Sequence, residues 1–371
     1  MNILRRVAAS TLLLFLGACG GGSATTGQDP TPAANWQQTG SSAGNIVSLA
    51  IAPGNGQTIY ATASANVSTT TFMLKSTNGG VSWNQVAGGL PLYTAIDSIA
   101  IDPANSQSIY TWAGGAGMYR STDGGISWTD MNHGLSDTDV SAAQGTLVVD
   151  PAHSQTIYLG TSTHDSTGTL GGGVYKSSDG AGSWSAVNSG LPSMNISSLA
   201  IDPSNSQTIY VGTGFSGGGV FKSSNGGDTW SAVNSGLALE GLRSPAMYVR
   251  SLAIDPSNSQ VIYAGTVGGV YKSSNAGASW IAANNGLSWT AGGVTNSSVR
   301  SLAINQANSQ IIYAGTSGGG VFVSSNGGGT WSVVNSGLTN TQVLSLVIDP
   351  TNIQIIYSGT DQGVFKGLFP I

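Results

Sequence analysis

The chain has 371 residues, of which 55 are glycine, 40% are apolar and only 7% are charged. That composition excludes a charge-solvated disordered chain and points to a globular protein dense in turns and short strands. Lys and Arg total 11 against 16 Asp and Glu, a formal net charge of -5, which argues against a binder of phosphate backbones, so nucleic acid is not an expected partner.

At the N-terminus, Arg5-Arg6 and the apolar run from Val7 to Leu16 form the charged and hydrophobic parts of a secretory signal. The run is too short to span a bilayer. Cys19 is the single cysteine, so neither a disulfide nor a thiolate metal site can form within one chain. Leu16-Gly17-Ala18-Cys19 resembles the lipobox of bacterial lipoproteins, which implies cleavage before Cys19 and lipid attached to it. The stretch from Gly20 to Ala34, rich in Gly, Ser, Thr and Pro, then reads as a flexible tether. The expected division is a signal peptide at 1–18, the lipidated cysteine and tether at 19–34, and one folded domain at 35–371. The expected location is the bacterial cell envelope, at the outer membrane or cell surface.

Beyond the tether a unit recurs seven times. Seven residues separate Pro53, Pro103, Pro151, Pro203, Pro256, Gln306 and Pro350 from Tyr60, Tyr110, Tyr158, Tyr210, Tyr263, Tyr313 and Tyr357. A second fixed interval of eight runs from Lys75, Arg120, Lys176, Lys222, Lys272 and Val323 to Trp83, Trp128, Trp184, Trp230, Trp280 and Trp331. Each unit carries four short extended pieces, such as Ser198 to Ile201, Ile209 to Val211, Val220 to Lys222 and Trp230 to Val233, parted by Asp-Pro-Ser-Asn and Asn-Gly-Gly turns. Four-stranded units of roughly 45 residues predict an all-β fold, a β-propeller, with a solenoid as the runner-up.

Closure decides between the two. The seventh unit stops before any tryptophan strand, and the missing piece stands at the other end of the chain as Asn35-Trp36-Gln37-Gln38-Thr39. An N-terminal strand around Trp36 that completes the last blade makes a ring of seven, whereas a solenoid needs polar caps.

The segment Ser121-Thr122-Asp123-Gly124-Gly125-Ile126-Ser127-Trp128 resembles the Asp-box, or BNR, motif, and it recurs at Ser76, Ser177, Ser223, Ser273 and Ser324. The Ser177 copy has Ala181 where glycine is usual. Families with this repeat include sialidases, two-propeller xyloglucanases, sortilin-type receptors and a photosystem II assembly factor, so the resemblance implies a fold rather than an activity. The acidic position is Asp123 and Asp179 in two copies but Asn78, Asn225, Asn275 and Asn326 in four. An amide replaces a carboxylate in a turn but not as a general acid or cation ligand, which favours a structural role. The tryptophans read as packing anchors, and the inner-turn Asp102, Asp150, Asp202, Asp255 and Asp349 as structural by the same logic.

In such a meander the two fixed connections share one end of every blade. The two variable ones share the other, ranging from nine residues (Tyr263 to Lys272) to eighteen (Tyr158 to Lys176), and from seventeen (Trp36 to Pro53) to twenty-six (Trp230 to Pro256). A scaffold that diversifies one face is expected to bind there. The candidate binding residues on that face are His164 and Asp165, Arg243 and Tyr248, and Trp289. The residue just before each inner strand adds a further set: Val47, Asp97, Gly145, Ser197, Arg250, Arg300 and Leu344. Arg250 and Arg300 fall on adjacent blades with Asp97 across the axis, a patch suited to a carboxylate or phosphate.

Catalysis is the weaker reading. Glu240, the sole glutamate, lies near Tyr248 but without a sialidase's arginine triad, and Thr360-Asp361-Gln362-Gly363 resembles a xyloglucanase segment carrying a catalytic aspartate. Asp361 and Glu240 are therefore the weak catalytic candidates, for a glycoside hydrolase that needs two flanking carboxylates. His133, His153 and His164 lack ligand spacing, so no metal and no cofactor are expected. The sequence reading is a monomeric, non-catalytic envelope scaffold that binds a protein or glycan and touches the membrane only through its lipid. An Asp-box glycosidase and an assembly factor for an envelope complex are the alternatives.

Overall fold

The computed structural model describes residues 35–40, 44–64, 71–86, 88–91, 94–136, 144–162, 172–192, 195–214, 218–237, 248–291, 294–296 and 298–369. The expected leader, Cys19 and the expected tether lie outside them. Short β-branched and aromatic segments joined by Gly- and Asn-bearing turns fold as four-stranded antiparallel meanders. In blade 4 the strands are Ile196–Ile201, Ile209–Thr213, Gly219–Ser223 and Ser231–Ala232, paired in that order. Seven such sheets form a seven-bladed β-propeller, with no helix among the described residues. A separate ribbon, Trp289–Ala291 with Val294–Asn296, stands on the link between blades 5 and 6, where the sequence reading placed only a long loop.

Blade 7 takes Val343–Ile348, Ile355–Thr360 and Gly363–Leu368 from the C-terminal end and Asn35–Gln38 from the N-terminal. Trp36 faces Gly367 in that pairing, and its indole Nε1 donates to Val334 O of blade 6 at 2.6 Å. A Cβ at Gly367 would come within 2.7 Å of Phe369 and 2.9 Å of Trp36, so only glycine lets these rings close on the strand. The equivalent indoles of Trp184, Trp230, Trp280 and Trp331 donate to Met131, Val187, Val233 and Ala283 of the preceding blade. Trp36 therefore does for blade 7 what Trp184, Trp230, Trp280 and Trp331 do for blades 3 to 6. The core is correspondingly divided into seven apolar clusters, each spanning two neighbouring blades.

The two fixed turns of blades 1 to 6 meet at one end, as Gly124 N donating to Gln107 O and Gly226 N donating to Gln207 O illustrate. In the third-to-fourth turn of blade 2, Ser121 Oγ accepts from Gly125 N at 2.8 Å and donates to Asp123 Oδ1 at 2.8 Å, while Asp123 accepts from Ser127 N at 2.9 Å. Those hydrogen bonds hold the exposed Asp123 carboxyl down at about 2, led by the Ser127 hydroxyl. In blade 4 the same frame persists, but the Asn225 amide donates to Thr229 Oγ1 at 3.0 Å instead. The hydrogen-bond polarity reverses and the turn survives, so carboxylate chemistry is not what the position supplies.

Five of the six such turns are also gripped by the tyrosine of the blade before them, the exception being the blade 3 turn, where Tyr110 OH makes no such bond among the described residues. Tyr60 OH and Lys75 Nζ both reach Gly124 O, at 2.9 and 2.8 Å, with the ammonium 5.3 Å from the tyrosine ring centre. Tyr263 and Lys272 repeat this on Gly327, and Tyr357 and Lys366 on Gly79 across the closure. Blade 6 breaks the pattern with Val323 in place of lysine. Its neighbour, blade 7, has no such turn, and Phe369 packs edge-on to Tyr313 at 5.1 Å and to Trp36 at 5.4 Å. An ammonium there would have no carbonyl to meet, and valine is the residue that fits.

Candidate functional site

The end of the ring opposite those turns is organised by a backbone irregularity. In six blades the pairing of inner and second strands skips one residue: Val47, Asp97, Ser197, Arg250, Arg300 or Leu344. A bulge of this kind leaves the extra residue unpaired and re-aims its side chain. Blade 3 has no bulge, and there Gly145 pairs normally with Thr161. A Cβ at Gly145 would collide with the ring of Trp112.

All seven of these residues line one cavity of about 350 Å³. Because every blade contributes to its wall, the cavity lies on the ring axis, at the end where the variable links enter the inner strands. Its wall is uneven. Leu344 and Val47 make an apolar arc, Asp97 and Ser98 follow on blade 2, small or neutral groups on blades 3 and 4, and Tyr248, Arg250 and Arg300 on blades 5 and 6.

Arg250 stacks its guanidinium 4.7 Å from the centre of the Tyr248 ring. Tyr248 in turn covers Gly214, where a Cβ would come within 2.7 Å of the ring. Arg300 Nε donates to Ser317 Oγ at 2.6 Å. Burial lowers the Arg300 pKa, and the neighbouring Arg250 charge lowers it further. Across the axis, burial pushes the Asp97 carboxyl up to about 7, against a smaller opposing pull from the Gly145 backbone N–H. Asp97 Oδ2, Ser98 Oγ and Arg250 Nε are buried polar atoms of this wall with no hydrogen-bond partner among the described residues. Such atoms are rare in folded proteins and mark places where an outside group is expected.

Of the residues singled out from the sequence, Asp97, Tyr248, Arg250 and Arg300 come together here. His164, Asp165, Glu240 and Arg243 lie outside the described residues, and Trp289 is placed only by its backbone, in the ribbon between blades 5 and 6. Asp361 lies away from the cavity, in the tight turn between the second and third strands of blade 7. In that turn Thr360 Oγ1 donates to Gly363 O at 2.9 Å and accepts from Gln362 N at 3.2 Å. Thr266, Gly268 and Gly269 make the same pair of bonds in blade 5, with Val267 in the aspartate's place. The Thr-Asp-x-Gly likeness to a hydrolase segment is thus matched by a turn that recurs within this ring. Sequence reasoning missed Ser98, Gln144 and Thr146 in the wall, because their place follows from how the inner strands converge on the axis and not from any residue pattern. Among the described residues no group of His, Cys, Asp or Glu could hold a metal ion.

The fold and the axial cavity define a β-propeller with a polar, arginine-bearing mouth. The family model of the DUF6242 β-propeller domain matches residues 32–285, and the chain belongs to that family. Among solved structures it resembles the GH74 xyloglucanase of Xanthomonas campestris, with TM-score 0.65 and 17% identity over 89% of this chain and 53% of that one. It spans about half of that enzyme. YCF48 bound to D1 peptide matches with TM-score 0.63 and 14% identity, over 93% of this chain and 99% of that one. The extracellular domain of the putative one component system BT4673 from B. thetaiotaomicron matches with TM-score 0.64 and 18% identity, over 90% and 39%. At these identities the likeness is one of fold, and it includes hydrolases and binding proteins alike. No curated protein sequence matches the chain.

Proposed function

We propose that this chain is a lipid-anchored, non-catalytic binding scaffold of the bacterial cell envelope, taking a protein or glycan on the loop face of its propeller. The observation that carries this reading is the convergence of seven bulge or slot residues on one axial cavity at the diversified end of the ring. Fixed turns hold the opposite end, where Asp-box chemistry serves as a clamp between blades. Under this reading Cys19 carries the lipid, 1–18 is removed, and the segment to residue 34 lets the ring stand off the bilayer.

A glycoside hydrolase is the competing reading, kept in view by the fold shared with the xyloglucanase. It requires two carboxylates flanking the scissile bond, and Asp361 sits in a turn that blade 5 builds with valine. Affinity capture from the native envelope with the intact lipidated protein, alongside assay on aryl glycosides, separates the two. A retained protein or glycan without turnover supports the scaffold. Turnover abolished by Asp361→Asn or Glu240→Gln would replace it with the enzyme.

A further inference from the structure

We propose that the axial cavity recognises a uronate, an acidic sugar whose carboxylate sits between Arg250 and Arg300 while its hydroxyls meet Asp97 and Ser98. This rests on the loop face being the binding face and names the ligand class for it.

Two guanidinium groups from adjacent blades share one wall of the cavity, and neither has a carboxylate within ion-pair distance among the described residues. The ion pair found there is His153 with Asp150, at the turn end of the ring. Two like charges held together in a partly buried place are costly unless an anion joins them. Arginine suits that task because its planar fork meets both oxygens of a carboxylate. Tyr248 holds the Arg250 guanidinium over its ring, which limits where the fork can lie before any ligand arrives.

The opposite wall argues for a sugar acid over a multiply charged phosphate. A ligand crossing the cavity meets an acidic residue at its far side, and Asp97 Oδ2 and Ser98 Oγ there are buried atoms able to bond hydroxyls. Added negative charge would be repelled at that wall, whereas hydroxyls are accepted. The apolar arc of Leu344 and Val47 can pack on the C–H face of a pyranose ring. A volume of about 350 Å³ is at the small end of ligand pockets and admits one ring, leaving the rest of a chain among the outer loops.

The test is calorimetric titration of the full chain with galacturonate oligosaccharides, their methyl esters and the matching neutral galactose oligosaccharides. Short peptides with free or amidated C-termini form a further arm. The expected result is saturable binding of the uronate, weakened roughly tenfold or more by esterification or by Arg250→Gln or Arg300→Gln, with partial recovery in Arg300→Lys. Unchanged melting of these variants checks the fold, and the ester arm makes the same comparison on the unaltered protein. Equal binding of acidic, esterified and neutral sugars, binding of none, or saturation by peptide carboxylates alone would overturn the assignment. If a neutral glycan or a peptide binds and the arginine variants leave it untouched, the loop face remains a binding face and only the uronate is lost.

Discussion

The two ends of the ring are built from the same seven units and behave oppositely. At the turn end, the hydrogen bonds of Ser121 and Asp123 recur at Ser177 and Asp179 and, with amides for carboxylates, at Ser223 and Asn225. At the loop end the corresponding positions read valine, aspartate, glycine, serine, arginine, arginine and leucine, and all of them face one cavity. Blades dock against one another at the turn end, so most substitutions found there keep the bonds. Side chains released by bulges at the loop end make contacts that differ from blade to blade, such as Arg300 with Ser317 and Arg250 with Tyr248, which leaves them open to specialise.

The largest effect should come from breaking the closure that both ends depend on. Trp36→Ala removes a buried indole and its bond to Val334, at a cost of about 3–5 kcal/mol, and deletion of residues 35–40 should abolish cooperative unfolding. Denaturant melts measure this, and a deletion melting within about a degree of wild type would refute closure. Next, Ser121→Ala strips the acceptor from Gly125 N and should cost about 2–3 kcal/mol. Asp123→Asn should stay within about 0.5 kcal/mol at neutral pH, as the asparagine copies imply.

At the loop end the signature is electrostatic. Asp97 titrates at about 7 in the folded chain, against about 4 when unfolded. The native state therefore binds more protons between those values, and stability should fall as pH rises from about 4 to 7, by up to about 4 kcal/mol. Asp97→Asn should remove that slope. The titratable groups of the cavity wall are Asp97, Tyr248, Arg250 and Arg300, so protonation of Asp97 below about pH 7 should also tighten an anionic ligand. Melts and titrations at pH 5 and 8 test both.

A small effect belongs to a flaw in the turn end. Ala181 holds φ at 74°, a left-handed conformation that glycine adopts more easily. Tyr110 OH, which should grip this turn, has no hydrogen-bond partner among the described residues. Ala181→Gly should gain about 0.5–1 kcal/mol if this copy is merely degenerate.

Much of the turn end was readable because each of its features is a local spacing. Seven residues from Pro203 to Tyr210, or eight from Lys222 to Trp230, fix a turn whatever lies between. Trp36 was identifiable because a strand was missing from one terminus and present at the other. Arg250, Arg300 and Asp97 could be placed near one rim by their common slot. Their convergence on a single cavity could not, since it depends on a one-residue bulge that leaves no mark in residue type. The substitution of Val323 for lysine was visible in the sequence, but its reason is tertiary: blade 7 brings Phe369 where other blades bring a carbonyl.

The claim that one end of the ring is scaffold and the other is function is tested most directly by differential capture from an extract of the native cells. Wild type, an Arg250→Gln/Arg300→Gln double variant and an Asp123→Asn/Asp179→Asn double variant would be compared at matched folding. The account predicts that the arginine variant alone loses the retained protein or glycan. Retention by the arginine variant with loss in the turn variant would contradict it.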